Sequence, residues 1–320
     1  MLIVDFHINN ANIANIGGIM NQGTETKAFG TTKRENHDST KFYSSRMYEG
    51  VKIPPKRKSD LIEVQLPEKI KNKTHHADSR DLSLIPDSSI HLVVTSPPYN
   101  AKKVYDEDLT LHEYIQLLYD VFSEVYDKLV DGGRVCINIA NVGRKPYIPL
   151  SDYVSKMMTD IGYYQRGEII WDKASSAGSS TAWGSWKSAS NPTLRDVHEY
   201  ILVFSKGTMN RQSGEKENTI TRDEFLEFTK SVWSFPTASA KRLKHPAPYP
   251  VELPYRCIQL YSYKDDVIFD PFMGSGSTAI AALKAGRNFI GYDNSEEYAE
   301  LANERVELWK LSQEHPSSLK

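Results

Sequence analysis

Apolar residues recur along this chain in two periods, and the switches between them mark out its elements. Over 109–130, LTLHEYIQLLYDVFSEVYDKLV, the positions Leu111, Ile115, Leu118, Phe122, Val125 and Leu129 share one helical face. That spacing predicts an amphipathic helix packed on a core, and Asp131-Gly132-Gly133 predicts its end. Short runs rich in β-branched and aromatic residues read as strands: HLVVT (91–95), RVCINIA (134–140), YYQRGEIIWDK (163–173), EYILVFSK (199–206) and RNFIGYD (287–293). Further helices are expected near 151–161, at 221–230, at 253–262 and over the last stretch from Ser295. DDVIFDPFMGSGSTAIAALKAG (265–286) reads as strand, tight glycine loop and helix. Strands alternating with helices predict an α/β fold, a mostly parallel sheet with helices on both faces.

Residues 1–70 lack such periodicity and are expected to form an irregular N-terminal arm ahead of a single domain spanning 71–320. The chain's 320 residues suffice for that arrangement, with 39% hydrophobic and 25% charged residues suiting a soluble globular protein. No run approaches the length of a membrane span, and MLIVDFHINN lacks the basic start of a secretory signal. Cys136 and Cys257 alone supply neither a disulfide framework nor a metal cluster, so a reducing cytoplasm is the expected setting. The formal net charge of −2 does not advertise a nucleic-acid binder, but only the facing surface needs to be basic. Charge is unevenly spread: Asn21–Asp60 carries nine bases against five acids, whereas the stretch from Glu296 is acidic.

Two short motifs change the picture. The strand LVVT runs into Ser96-Pro97-Pro98-Tyr99, and paired prolines must stop a sheet ladder. That is either a plain turn or the rim of an active site. Downstream, DPFMGSGST (270–278) turns on Gly274 and Gly276 into a helix N-terminus, which favours a carboxylate or phosphate. Asp293 ends the next strand, about 20 residues on, where a ribose-binding acid belongs. With Ala279 the loop even fits the nicotinamide pattern G-x-G-x-x-A. Too little chain follows Asp293 to complete a dinucleotide fold, however. The remaining strands must come from upstream, giving a circularly permuted Rossmann-like sheet in which LVVT lies beside VIFD. Ligands bind where strand order reverses, outside the carboxyl ends of the strands.

TSPPYN followed far downstream by DPFMGSGSTAIAALKAGRNFIGYD resembles the amino-DNA methyltransferases of the beta arrangement, in which the catalytic motif precedes the S-adenosylmethionine motif. IIWDK, HEYILVFSK, VWSFPT (232–237) and HPAPYPVELPYRCI extend the resemblance over roughly residues 75–310. It implies S-adenosyl-L-methionine as cofactor, its pocket shaped by Asp270, Phe272, Gly274 and Gly276. Ser277 and Thr278 would hold the methionine carboxylate, Asp293 the ribose hydroxyls and Asp78 the adenine amino group. His245 would lie near the methionine end. For Asp78 a plain turn or cap role is the alternative, and for His245 a packing role.

The resemblance also implies a catalytic set of Ser96, Pro97, Pro98 and Tyr99. An exocyclic amine is a poor nucleophile because its lone pair is delocalised into the ring. The Ser96 hydroxyl and the Pro97 carbonyl can accept its two hydrogens, with Tyr99 stacking on the base. The base is expected to be flipped out of double-stranded DNA. Trp183 and Trp186 are expected to wall its pocket, while Lys173 and Arg195 offer phosphate contacts. Serine as first letter favours N4 of cytosine over N6 of adenine. Residues 207–244, with Arg211, Lys216, Arg222, Lys230, Lys241, Arg242 and Lys244, form the expected target-recognition region. The implied setting is a restriction-modification system, in which a separate, unbound endonuclease acts on the same site. A monomer or homodimer is expected. Outside this reading stand an inactive DNA-binding homologue, an enzyme acting on protein glutamine or RNA, and, most remotely, a dehydrogenase.

Overall fold

The computed structural model describes residues 24–25, 37–38, 43–52, 63–99, 109–174, 186–211, 214–238 and 249–314. The chain divides into two units, Met1–Ile53 and Pro54–Lys320. In the first, β1 (Thr24–Glu25) pairs in parallel with β2 (His37–Asp38), and a 3-10 turn spans Arg46–Tyr48. The second unit starts earlier than the periodicity suggests. Val64 donates its amide to the Ser88 carbonyl at 2.8 Å, and Leu66 and Ile70 are buried in the core. The organised region therefore includes 63–70, which periodicity alone assigns to the arm.

This unit carries β3 (Lys73–His76), β4 (Ile90–Thr95), β5 (Leu129–Ile139), a small hairpin of β6 (Val142–Gly143) and β7 (Tyr147–Ile148), β8 (Tyr164–Asp172), β9 (His198–Ser205), β10 (Val232–Ser234), β11 (Val267–Asp270) and β12 (Asn288–Asp293). Eight of these form one sheet in the order β10-β8-β9-β5-β4-β11-β12-β3. Only β9 runs antiparallel to its neighbours. Among the described residues the helices are α1 (Leu111–Lys128), α2 (Leu150–Ile161), α3 (Arg222–Phe228), α4 (Glu252–Tyr261), α5 (Ser277–Lys284) and α6 (Glu296–Glu314). All six positions of β4 are buried, as a continuous apolar run in a central parallel strand requires. Val93 packs into the layer holding α1 and α2, whereas Leu92 and Val94 pack into the layer holding α4, α5 and α6. The result is the permuted three-layer α/β fold that the alternation of elements implied.

Local signals explain most element boundaries. Thr110 caps α1 in a reciprocal box with Glu113. The buried stripe of α1 is Tyr114, Leu118, Val121, Phe122 and Val125, so its face is rotated slightly from the one expected. Asp131-Gly132-Gly133 does not form a loop after the helix. β5 begins at once, and these residues bulge out of register between the pairs Ile90–Leu129 and Leu92–Arg134. Gly132 has φ +74°, and a Cβ there would come within 2.7 Å of the Asn210 carbonyl oxygen.

The amino edge of the sheet is closed by an ion network. Asp266 and Glu63 both bind Arg211 and Lys216, with Lys216 Nζ 3.3 Å from Asp266 Oδ1. His91 Nδ1 accepts the Val267 amide at 2.9 Å, leaving Nε2 to face Glu63 at 3.2 Å. Burial alone would raise both acids. Hydrogen bonds from His91 and Lys216 and the charge of Arg211 instead hold Glu63 well below the usual carboxylate range. Asp266 is lowered by Arg211 and His91 against the same opposition. Arg211 and Lys216 are thus paired with carboxylates at this edge, away from the carboxyl ends of β4 and β11. Topology gives the reason. Because β9 is antiparallel, Ser205 ends at the amino edge, and 207–231 sets out from there. Every other strand of the sheet ends at the carboxyl edge, so the segments after β8 and β10 leave from the same side as those after β4 and β11. Among the described residues, no helix is long and apolar enough to cross a membrane.

Candidate active site

β4 and β11 are neighbours and parallel, with Leu92 opposite Ile268 and Val93 opposite Phe269. Ser96-Pro97-Pro98-Tyr99 and the glycine loop therefore open on the same edge of the sheet. One buried carboxylate fastens them. Asp270 accepts from Thr95 Oγ1 at 2.6 Å, Thr278 Oγ1 at 2.6 Å, Tyr249 OH at 2.9 Å and the Phe272 amide at 3.0 Å. Burial raises its pKa against the pull of these donors. Asp270 thus ties the acceptor strand to the loop and to α5, and shapes the site from behind.

The glycine loop is held by backbone bonds. Met273 donates to the Tyr292 carbonyl at 2.9 Å, and Gly274, at φ +51°, donates to Asp293 Oδ2 at 2.8 Å. Asp293 Oδ1 accepts from the Ser295 amide at 2.9 Å. Each Asp293 oxygen keeps a further lone pair, which suits a vicinal diol. Burial raises the pKa of Asp293 despite its two backbone donors. Gly276 also has a packing role. At φ +81° a Cβ would meet the Ala302 backbone at 3.1 Å, so glycine is needed to seat α5 against α6. Ser277 gives its hydroxyl proton to the Tyr249 carbonyl at 2.9 Å, and Thr278 gives its own to Asp270. A carboxylate at this helix start would be met by peptide N–H groups.

Asp78 follows β3 at the same edge as Asp293, and the Ala77 amide reaches the Asp293 carbonyl at 2.9 Å. Its carboxylate is forked by Arg80, with Nε 3.0 Å from both oxygens, and it accepts the Arg80 amide at 2.9 Å. Arg80 holds it below its ordinary pKa. The Arg80 amide bond closes a local aspartate turn, the feature weighed as the alternative, and leaves the Asp78 side chain 50% exposed. Phe272 is half-buried against the α1–α2 layer.

At the acceptor rim a polar network surrounds the tyrosine. Tyr99 OH donates to Glu199 Oε2 at 2.9 Å and lies 3.1 Å from Ser96 Oγ. Asn138 Nδ2 reaches Glu199 Oε2 at 2.6 Å, Tyr99 OH at 2.9 Å and Ser96 Oγ at 3.3 Å. Burial, then the Glu199 charge, pushes the Tyr99 phenol well above its usual pKa, so it stays protonated. Lys173 pairs with Glu199 Oε1 and lies over the Trp171 ring. Lys173, expected at phosphate or in solvent, is turned inward, where a half-buried carboxylate requires a counter-charge. Asn138 and Glu199 were not singled out from the sequence. The available signal was a lone amide in the apolar run RVCINIA and an acid heading the strand EYILVFSK.

Trp186 is well exposed, with Lys187 over its ring, and Arg195 is exposed. The structure brings neither onto Ser96 or Tyr99. Trp183, His245, Lys241, Arg242 and Lys244 lie outside the described residues. Cys136 and Cys257 are fully buried, in β5 and α4, and burial raises the Cys136 thiol. Neither offers the exposed thiolate that methylation at cytosine carbon-5 would need.

Residues 90–304 match the DNA methylase family of N6/N4 methyltransferases. The type II methyltransferase M.MthZI of Methanothermobacter thermautotrophicus is 32% identical over 77% of this chain and 79% of its own length. M.MjaI of Methanocaldococcus jannaschii, also a type II methyltransferase, is 28% identical over 73% and 91%. A putative DNA modification methylase of Thermus thermophilus, solved with S-adenosyl-L-methionine, superposes with a TM-score of 0.60. It is 29% identical and covers 77% of this chain and 95% of its own. The cytosine-N4-specific PvuII methyltransferase shares the fold, at a TM-score of 0.57 and 20% identity, over 75% of this chain and 91% of its own. With the acceptor motif ahead of the glycine loop and both on one sheet edge, the chain belongs to the DNA methylase family, as an S-adenosyl-L-methionine-dependent N6/N4 amino-methyltransferase of the beta arrangement.

Proposed function

We propose that this chain is a site-specific type II methyltransferase that places a methyl group on the exocyclic N4 of a cytosine extruded from duplex DNA. The observation that carries it is the β4–β11 pairing, which sets Ser96 and the glycine loop side by side at one edge. S-adenosyl-L-methionine, when bound, supplies an activated methyl carbon. Asp293 and the glycine loop would hold it, with Asp78 available to its adenine end. Ser96 Oγ and the Pro97 carbonyl would accept the two amine hydrogens. That favours the pyramidal nitrogen and offsets the positive charge growing on it. Tyr99 would present its ring to the base while its hydroxyl is held from behind.

Serine at the head of the motif supports cytosine, and the type II relatives support action at a defined sequence alongside a separate endonuclease. The test is labelled-methyl transfer to unmethylated DNA followed by nucleoside analysis. N4-methylcytosine is the expected product. N6-methyladenine would place the chain in the adenine branch, and label confined to protein or RNA would overturn the reading.

A further inference from the structure

The carboxyl-edge network has a polarity that follows from what each group is able to do. A carboxylate only accepts, and an amide nitrogen only donates. Glu199 Oε2 therefore receives both the Tyr99 proton and one Asn138 N–H. Tyr99 has a single proton, so its oxygen acts as an acceptor toward Ser96 and Asn138. Ser96 in turn has a single proton, directed at Tyr99. Its oxygen is left with lone pairs, one of them touched weakly by Asn138 at 3.3 Å. Glu199 thus makes Ser96 an acceptor, which is what an amine N–H requires. Asn138 Oδ1 is buried without a partner among the described residues. The amide is oriented by the carboxylate that Nδ2 faces, at the cost of its own oxygen.

We propose that Glu199 is a positioning residue that fixes the Ser96 hydroxyl through Tyr99 and Asn138 and finally takes the proton the target amine must lose. The proposal rests on the amino-methyltransferase reading. As the nitrogen lone pair forms the new N–C bond, the C–S bond breaks and its electron pair stays on sulfur. The nitrogen then carries one proton too many. That proton passes to Ser96 Oγ as the Ser96 proton moves to the Tyr99 oxygen and the Tyr99 proton moves to Glu199 Oε2. The hydroxyls end neutral and Glu199 ends protonated beside Lys173. Solvent takes that proton after the product leaves. The high pKa of the buried phenol is consistent with Tyr99 passing a proton along without resting as phenolate.

Glu199→Gln keeps the shape and removes the proton acceptor. The double variant Glu199→Gln with Lys173→Met also removes the lysine charge that the single change would strand. The full chain is assayed in single turnover on duplex DNA from a host lacking DNA methylation, with S-adenosyl-L-methionine affinity measured by calorimetry. Both variants should lose roughly 10²–10⁴-fold in transfer rate. KM for DNA and cofactor affinity should stay within about twofold, the spread of ordinary non-additive context effects. Glu199→Asp should recover part of the rate. If the wild-type chain transfers and the double variant matches it, the role of Glu199 is wrong and the methyltransferase reading stands. A parallel loss of cofactor affinity and rate would show a merely structural residue and also overturn it. If the wild-type chain methylates no DNA amine, the underlying reading fails instead.

Discussion

Two charged networks sit at opposite edges of one sheet, and they are built from nearly the same parts. At the amino edge, Glu63 and Asp266 meet Arg211, Lys216 and His91, so both carboxylates are matched by donors. At the carboxyl edge, Glu199 meets Lys173, Asn138 and Tyr99, and the chain of donors stops at a serine oxygen with capacity to spare. The first network is saturated and can only hold. The second is incomplete in a defined direction, and a guest with N–H groups would complete it.

Four sets of substitutions probe this contrast, in falling order of effect. Asp266→Ala strands Arg211 and Lys216 and should cost about 3–5 kcal/mol of stability, read by urea unfolding. Ser96→Ala and Tyr99→Ala should lower methyl transfer by roughly 10²–10³-fold while cofactor binding, followed by calorimetry, persists. Asp293→Ala should act on the cofactor instead, weakening its affinity by about 1.5–3 kcal/mol through loss of a charged acceptor. The smallest effect concerns pH. Glu63 and Asp266 have folded-state pKa values below their unfolded ones. Their contribution is complete above the unfolded values, near about pH 4 for such acids, and drains away as pH falls toward the folded ones. Glu63→Gln should therefore flatten the acid limb of the stability–pH curve. A variant as acid-sensitive as the wild type would show that this edge does not govern it.

Both motifs were legible because their chemistry is written in consecutive residues. Ser96–Tyr99 and Asp270–Thr278 are short strings with constrained backbones, and their separation along the chain implied the permuted sheet. The network behind Ser96 was not legible. Asn138 and Glu199 lie 61 positions apart and meet only because β5 and β9 are paired antiparallel. Lys173 and Arg211 read as surface bases because a sequence shows a charge and not its partner. Only the pairing of β9 with β8 turns Lys173 toward Glu199, and only the reversal at β9 carries Arg211 to the far edge. The place of Gly276 in the loop suggests ligand approach, and only the fold adds that the closest neighbour of its missing Cβ is Ala302 on α6.

The order β5-β4-β11-β12-β3 has a consequence for synthesis on the ribosome. β4 emerges early and finds β5 soon after, yet its other side is covered only by β11, some 170 residues later. β3, still earlier, pairs with nothing until β12 arrives. A nascent chain halted before residue 267 therefore exposes one apolar central strand and one orphan strand, the kind of edges that invite aggregation. The last fifty or so residues are thus the keystone of the whole sheet, and a truncation there should yield insoluble protein, not a smaller working enzyme.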